Sequence, residues 1–249
     1  MKNLTIVVAC YNTPKLVLNL LSSIQNECET LPQVMVMNTS NNSIDELIFQ
    51  AEGIPYFNFK GGIHGEAVNL AMSKVKTKYA LLIDSDVIIK KDFLPAFDKF
   101  KESGCALMGK VVGDCGGKSL YPRVEPWFCF MDMEALKRHK IKFFDSERTL
   151  KAKDSDRRYD IGSTMFEDVE KAGLSIADAN MEGKYFKHYG GMSWRVQSYD
   201  PSQEDTDIDF GGTHPNKALH DYGLKIAQEY DKETTHLGSI NIMNAFSNE

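Results

Sequence analysis

The chain has 249 residues, 42% of them hydrophobic and 26% charged, with a formal net charge of −6. That suits one large α/β domain, or one domain with a small appendage, and gives no broad basic face for gripping a phosphate backbone. The five cysteines, Cys10, Cys28, Cys105, Cys115 and Cys129, are odd in number and form no C-x-x-C pair, which argues against a disulfide framework and for a reducing compartment. The only N-terminal apolar run, Leu4 to Ala9, is too short for a signal peptide. No stretch of about 18 apolar residues occurs, so a soluble, cytoplasmic protein without integral membrane contact is expected.

In chain order, Leu4 to Ala9 reads as a strand ending in Cys10-Tyr11-Asn12-Thr13-Pro14. Thr13 is placed to cap a helix with Pro14 at its first position and Leu16, Leu20, Leu21 and Ile24 on its apolar stripe. Val34 to Met37 form a second strand, followed by Asn38-Thr39-Ser40-Asn41-Asn42; Ser43 and Glu46 then read as a capping box. A third strand, Ile54 to Phe59, is broken by Gly61-Gly62 before a helix that starts near His64. The stretch Tyr79 to Lys90 follows as a strand carrying Asp84-Ser85-Asp86. This alternation predicts a mostly parallel, Rossmann-type sheet with helices on both faces and ligands at the carboxyl ends of the strands. The polar residues at Asn12, at Asn38 to Asn42, at His64 and at Asp84 and Asp86 all fall at such ends.

The second half is less regular. Asp92 is placed to cap a helix with Phe93, Leu94, Phe97 and Phe100 inward, and Ala106 to Val112 reads as a strand. A glycine-containing loop leads to Arg123, Trp127 and Phe128, and Met131 to His139 reads as a short helix. Residues 145–158 are charged and read as an exposed loop. Tyr159-Asp160-Ile161-Gly162 opens a helix to about Ala172, Ser175 to Ala179 is a short strand, and a helical tail runs from Pro215 to Tyr230 after an acidic stretch (Glu204, Asp205, Asp207, Asp209).

Residues i and i+2 of an extended chain project to one side, so Asp84 and Asp86 can face one point. Two carboxylates that close repel unless a cation or a proton lies between them. A hard divalent ion carrying a diphosphate meets that need, because Mg²⁺ and Mn²⁺ take oxygen ligands and leave positions open to phosphates. The plain alternative is a turn at the end of a strand.

These residues resemble the inverting family 2 glycosyltransferases of the GT-A fold. V-V-A-C-Y-N is similar to that family's first strand and nucleotide-binding turn, and M-N-T-S-N-N-S to its second-strand turn. G-G-I-H-G-E-A-V-N-L-A followed by D-S-D, then Y-D-I-G at a helix start and H-Y-G-G-M-S-W, resemble later motifs in the right order. The resemblance spans about residues 3–195. It implies a GT-A domain at 1–195 (a nucleotide-sugar half at 1–100 and an acceptor half at 101–195) and a C-terminal extension at 196–249.

It further implies a nucleotide-diphosphate sugar donor, expected to be a UDP-sugar, and Mn²⁺ or Mg²⁺. Asp86, Asp84 and His188 would serve the metal, with Asp84 also near the donor ribose. Cys10, Tyr11 and Asn12 would line the nucleotide and Asn38 the base. Asp160 would be the general base, with Asp168, beside Glu167, as the second choice. An amide at 38, where the family often has Asp, leaves the base open between uracil, guanine and others.

Each residue has a structural alternative. Asp160 also suits a helix N-cap, His188 a structural histidine, and His64 a packed turn rather than a diphosphate contact. Trp127 and Phe128 read equally as an acceptor platform, with Arg123 nearby, or as core. The competing classes are a sugar-phosphate nucleotidyltransferase and a non-catalytic nucleotide-sugar or glycan-binding protein. The first usually has a basic glycine-rich turn after strand one, whereas this chain has no Lys or Arg there before Lys15. The acceptor is open among a glycan, a protein and a hydroxylated base in DNA. Lys137, Arg138, Lys140, Lys142, Arg148, Lys151, Lys153, Arg157 and Arg158 give one region a basic tendency that suits DNA or a solvated loop.

Overall fold

Strand β1 (Leu4–Cys10) alternates its side chains between two cores: Leu4, Ile6, Val8 and Cys10 enter one and Val7 the other. Strand β4 (Tyr79–Asp84) repeats the division, with Leu81 and Ile83 on the first face and Ala80 and Leu82 on the second. The period of two is that of an extended chain buried on both faces. Helices α1 (Pro14–Glu27), α2 (Ile44–Ala51) and α4 (Leu94–Ser103) cover the first face. Helices α3 (His64–Lys74), α5 (Met133–Arg138) and α7 (Ser163–Lys171) cover the second. The computed structural model describes residues 3–60, 63–113, 121–151, 159–192 and 217–237. Gly61, Gly62, Cys115, Lys153, Arg157, Arg158 and the acidic stretch Glu204 to Asp209 lie outside these residues.

The main sheet has seven strands in the order β10-β6-β9-β4-β1-β2-β3. Its other members are β2 (Gln33–Asn38), β3 (Tyr56–Asn58), β6 (Leu107–Gly109), β9 (Phe128–Asp132) and β10 (Ile176–Asp178). All pairs are parallel except the two made by β9, which runs against both β4 and β6. The chain winds outward from β1 to β3, then crosses to β4 on the other side of β1. That reversal opens a crevice at the carboxyl ends of β1 and β4, where ligands of doubly wound sheets sit.

Several local expectations change. Tyr79 to Lys90 is not one strand: β4 ends at Asp84, Ser85 and Asp86 turn, and β5 (Val87–Ile89) leaves the main sheet to pair antiparallel with β11 (Phe186–His188). Ala106 to Val112 breaks at Lys110, because β7 (Val111–Val112) pairs with β8 (Arg123–Val124) instead. Strand β9 occupies residues read as loop and helix start. It is buried on both faces, so it lacks the alternation that marks a half-exposed strand. Helix α5 starts only at Met133, where Asp132 Oδ1 accepts the Ala135 N–H at 3.0 Å.

The expected capping box at Ser43 and Glu46 does not form. Asn42 Oδ1 accepts the N–H groups of Ile44 and Asp45 at 3.0 and 3.2 Å, and Glu46 pairs with Lys60 at 2.7 Å. Thr13 makes no cap hydrogen bond either, although Pro14 does open α1. The first core is closed by an aromatic group in which Phe93, Phe97, Phe100, Phe128, Phe130 and Phe186 are in ring contact. Phe128 and Phe186 stack at 4.5 Å, and such pairs add about 0.5–1.5 kcal/mol beyond area burial.

Candidate active site

The crevice is a cleft of about 420 Å³, lined by Ala9, Cys10 and Tyr11 at the end of β1, Asp84, Ser85 and Asp86 at the end of β4, and His64, Arg123, Glu125 and Asp160 from elsewhere. The parallel register sets Ala9 beside Asp84 and Cys10 beside Asn38, which brings the carboxyl ends of these strands level.

The D-S-D residues converge through a turn rather than along one strand. The pairing of β5 with β11 places His188 opposite Val87, the residue after Asp86. His188 Nε2 lies 3.2 Å from Asp86 Oδ1 and 3.8 Å from Asp84 Oδ2. One ligand atom from each of the three residues lies within 4.8 Å of the others. Asp86 is buried, and its second oxygen accepts the Met192 N–H at 3.1 Å. His188 Nε2 is buried yet makes no hydrogen bond of acceptable geometry. An orphaned nitrogen aimed at two carboxylate oxygens is a donor set that suits Mn²⁺ or Mg²⁺, with positions left for substrate oxygens.

The charges of the three groups are linked. Burial, then the neighbouring Asp86 charge, pushes the Asp84 carboxyl up to about 7. Burial also acts to raise Asp86, but His188 and the Met192 N–H outweigh it and hold Asp86 below the ordinary range. Burial disfavours charge on His188, yet Asp86 and Asp84 keep it above its usual value. Without a cation the cluster therefore retains protons where positive charge is required.

At the β1 end of the cleft, Tyr11 is 42% exposed. Cys10 is fully buried behind it, and burial pushes its thiol up to about 12, which leaves it neutral. Asn12 has φ 54, a left-handed conformation that Asn tolerates. Its N–H donates to Ser40 Oγ at 2.8 Å, and its Oδ1 accepts from Asn42 Nδ2 at 2.8 Å. His64 is the first residue of α3, whose start carries no side-chain cap, and burial lowers its pKa so that the imidazole is neutral. The free N–H groups of that helix start favour an anion such as a phosphate.

Asn38 departs from expectation. It is fully buried, its Nδ2 donates to Asn58 Oδ1 at 3.0 Å, and its Oδ1 accepts the Ser40 N–H at 3.2 Å. The amide holds the wall together and offers no surface to a donor; the exposed residue of the pair is Asn58.

Asp160 lies in the loop before α7. Its N–H donates to Ser163 Oγ at 3.1 Å and its carbonyl accepts the Ser163 N–H at 3.0 Å. Gly162 is the N-cap position, at φ 86, a conformation strained for residues with a Cβ. The Asp160 carboxylate is thus not the cap. Oδ1 accepts its neighbour Ile161 N–H at 2.7 Å, and Oδ2 lies 3.3 Å from Arg123 Nη1. Arg123 Nη2 donates to Glu125 Oε1 at 3.2 Å. Arg123 and Glu125 side chains are 11% and 8% exposed, whereas Asp160 is 46% exposed. Burial raises the Glu125 carboxyl despite the Arg123 charge.

The rival carboxylates are engaged elsewhere. Arg148 Nη1 binds both oxygens of Asp168 at 2.8 and 2.9 Å, and its Nη2 binds Glu167, which also accepts from Tyr159 OH at 2.7 Å. Neither lines the cleft. Trp127 is half-buried, with its ring centroid 4.5 Å from that of His188 and Lys110 Nζ 5.7 Å away. Phe128 is 1% exposed inside the aromatic core, which corrects its reading as an acceptor platform: no face of the ring is open. Sequence reasoning passed over Glu125, although its i+2 spacing from Arg123 places both on one side of an extended segment.

A search of curated proteins finds no match. Among solved structures, Staphylococcus aureus TarS (residues 1–349) is 17% identical, with a TM-score of 0.50 over 100% of this chain and 75% of that one. The Pyrobaculum calidifontis mannosyltransferase PcManGT, solved with GDP-Man and Mn²⁺, is 14% identical, with a TM-score of 0.53 over 97% and 77%. Glucosyl-3-phosphoglycerate synthase from Mycobacterium tuberculosis is 12% identical, with a TM-score of 0.53 over 94% and 80%. At such identities these show the fold. The family described as Glycosyl transferase family 2 matches residues 5–169, more than half of the chain, and takes in both D-S-D and Asp160. The chain therefore belongs to glycosyltransferase family 2 and is a glycosyltransferase of the GT-A fold.

Proposed function

We propose that the protein is a metal-dependent, inverting transferase that moves a sugar from a nucleoside-diphosphate sugar to an acceptor hydroxyl, for which a saccharide is the favoured acceptor. The observation that carries this reading is the placement of Asp84 and Asp86 in one cleft with Asp160, with His188 clustered against the two aspartates. Asp86, Asp84 and His188 would hold a divalent ion, which when bound supplies Lewis acidity that neutralises the leaving diphosphate. The uncapped start of α3 with His64, together with Tyr11, binds the donor. Asp160 accepts the proton of the acceptor hydroxyl as that oxygen bonds to the anomeric carbon and the bond to the diphosphate breaks. A single direct displacement inverts the anomeric centre. Arg123, whose Nη1 lies 3.3 Å from Asp160 Oδ2, aims that carboxylate.

DNA is disfavoured as acceptor by the position of part of the basic run. Lys137, Arg138 and Lys140 follow β9, whose last residue Asp132 pairs with Tyr79 at the start of β4, away from the cleft at Asp84. Arg148, from the same run, is committed to Glu167 and Asp168. Among the described residues no helix is long and apolar enough to cross a membrane.

The test is nucleotide release from a panel of UDP-, GDP-, CMP- and dTDP-sugars with Mn²⁺ or Mg²⁺, followed by NMR of the product anomer. Release of one nucleotide that stops on chelation, with an inverted product, is the expected result. Turnover that persists in chelator, or a retained anomer, would overturn the corresponding part of the reading.

A further inference from the structure

Helix α8 (Lys217–Thr234) lies outside the span that matches the family, yet it packs on the segment that builds the cation cluster. Its Tyr230 is fully buried and meets Tyr189 edge-on, with ring centroids 4.9 Å apart at 83°. Leu16 and Ile88 complete this small core, and Ile226, Leu237 and Met192 border it. One turn on, Glu233 gathers three groups: it accepts from Lys187 Nζ at 3.2 Å, from Tyr189 OH and from Lys90 Nζ.

The positions of those groups matter. Lys187 and Tyr189 are the residues on either side of His188, and Lys90 follows β5. Tyr189 also donates its N–H to the Asp86 carbonyl at 3.1 Å, and Met192, three residues on, donates to the Asp86 carboxylate. The two-stranded β5–β11 ribbon stands apart from the main sheet, and a ribbon of that size has little stability alone. Its geometry is what brings Nε2 of His188 to Asp86.

We infer that Glu233 and Tyr230 are positioning residues for the cation site: α8 clamps the β5–β11 ribbon, so that the His188 imidazole and the Asp86 carboxylate keep ligand geometry. The inference rests on the metal reading above. Glu233 touches none of the proposed ligands directly. It acts by fixing the backbone on both sides of His188, as the partners of metal ligands do when they orient a ring. The binding energy of a divalent ion is thereby tied to a helix that the family match does not include.

The test is titration of the full chain with Mn²⁺ alone, followed by calorimetry, with circular dichroism recorded for every variant. Glu233→Gln is expected to weaken Mn²⁺ binding about 10-fold, the lower end of the roughly 10–100-fold range for losing an orienting partner, while the fold is kept. Lys187→Met, which leaves the helix untouched, is expected to weaken it in the same direction. Asp231→Asn, on the same helix as Glu233, removes the exposed pair with Lys15 of α1 and is expected to leave Mn²⁺ affinity unchanged. Mn²⁺ binding by Glu233→Gln and Lys187→Met as tight as wild type, with or without a lower melting temperature, overturns the inference and leaves α8 a purely structural helix. If wild type itself binds no Mn²⁺, the metal reading fails first and the inference falls with it.

Discussion

His188 Nε2 sits 3.2 Å from Asp86 Oδ1, joined across an antiparallel pairing of two three-residue strands that are remote in sequence. Asp86 is the better anchored of the two carboxylates, since it is buried and also held by the Met192 N–H. Asp86→Asn keeps the volume and removes the charge. Mn²⁺ affinity, read by calorimetry, is expected to fall by more than the roughly 10–100-fold that loss of an orienting partner costs, and donor turnover to fall with it.

Asp160 is exposed enough to meet an acceptor and is not spent on capping α7. Asp160→Asn is expected to lower kcat by about 10²–10⁴-fold, the usual contribution of a positioned base, with the donor dissociation constant little changed. Asp168→Asn is expected to leave kcat near wild type, because Arg148 holds that carboxylate away from the cleft. A reversed pattern would move the base to Asp168.

Arg123 and Glu125 form a nearly buried pair at 3.2 Å. Arg123→Met leaves Glu125 without its partner, and removing one member of a buried pair costs about 3–5 kcal/mol. The double change Arg123→Met with Glu125→Gln is expected to recover most of that stability in urea unfolding, while activity stays low because Asp160 has lost its cation. Recovery of activity together with stability would show that Arg123 is structural only.

Phe128 stacks on Phe186 within the core. Phe128→Ala is expected to cost about 3–5 kcal/mol, as large core truncations do. Measured per folded molecule, the KM for acceptor is expected to stay within about two-fold, since its contacts are the hydrophobic burial kind and not substrate contacts. A large KM change in a stably folded Phe128→Leu would restore the platform reading.

Glu167 has its carboxyl held below the ordinary range: burial opposes this, but Lys171, Tyr159 and Arg148 prevail. A carboxyl whose folded pKa lies below its unfolded value adds stability above the unfolded pKa, about 4.3, and loses it as pH falls through the folded pKa. Glu167→Gln is therefore expected to be less stable than wild type at pH 6, by about 1 kcal/mol. The gap is expected to close as urea unfolding is repeated below about pH 4.

Much of this site was visible in the chain wherever a feature is local. The D-S-D motif, the alternating strands and Pro14 at a helix start depend on neighbours in sequence, although Ser85 and Asp86 form a turn where the pattern predicts extended strand. His188 was reachable only through its resemblance to a family motif, because its role depends on pairing with β5. Strand β9 was not legible: four of its five residues are buried in succession and show no period, and what makes them a strand is the presence of β4 and β6 on either side. Asn38 was misplaced for a related reason. Its polarity suggested a ligand; Ser40 is a local partner, but Asn58 is brought to it only by the parallel packing of β2 and β3.

The antiparallel run of β9 also divides responsibility within the enzyme. A parallel strand enters the sheet far from the cleft, whereas β9 enters at the cleft end, as the pairing of Ile83 with Phe128 requires. The segment leading into it, with Arg123, Glu125 and Trp127, is therefore delivered over the cleft by a strand that carries none of the donor residues. On the proposed reading, the residues facing the acceptor, 121–127, therefore stand on a segment separate from the donor-facing ends of β1 and β4, so one can be altered without rebuilding the other.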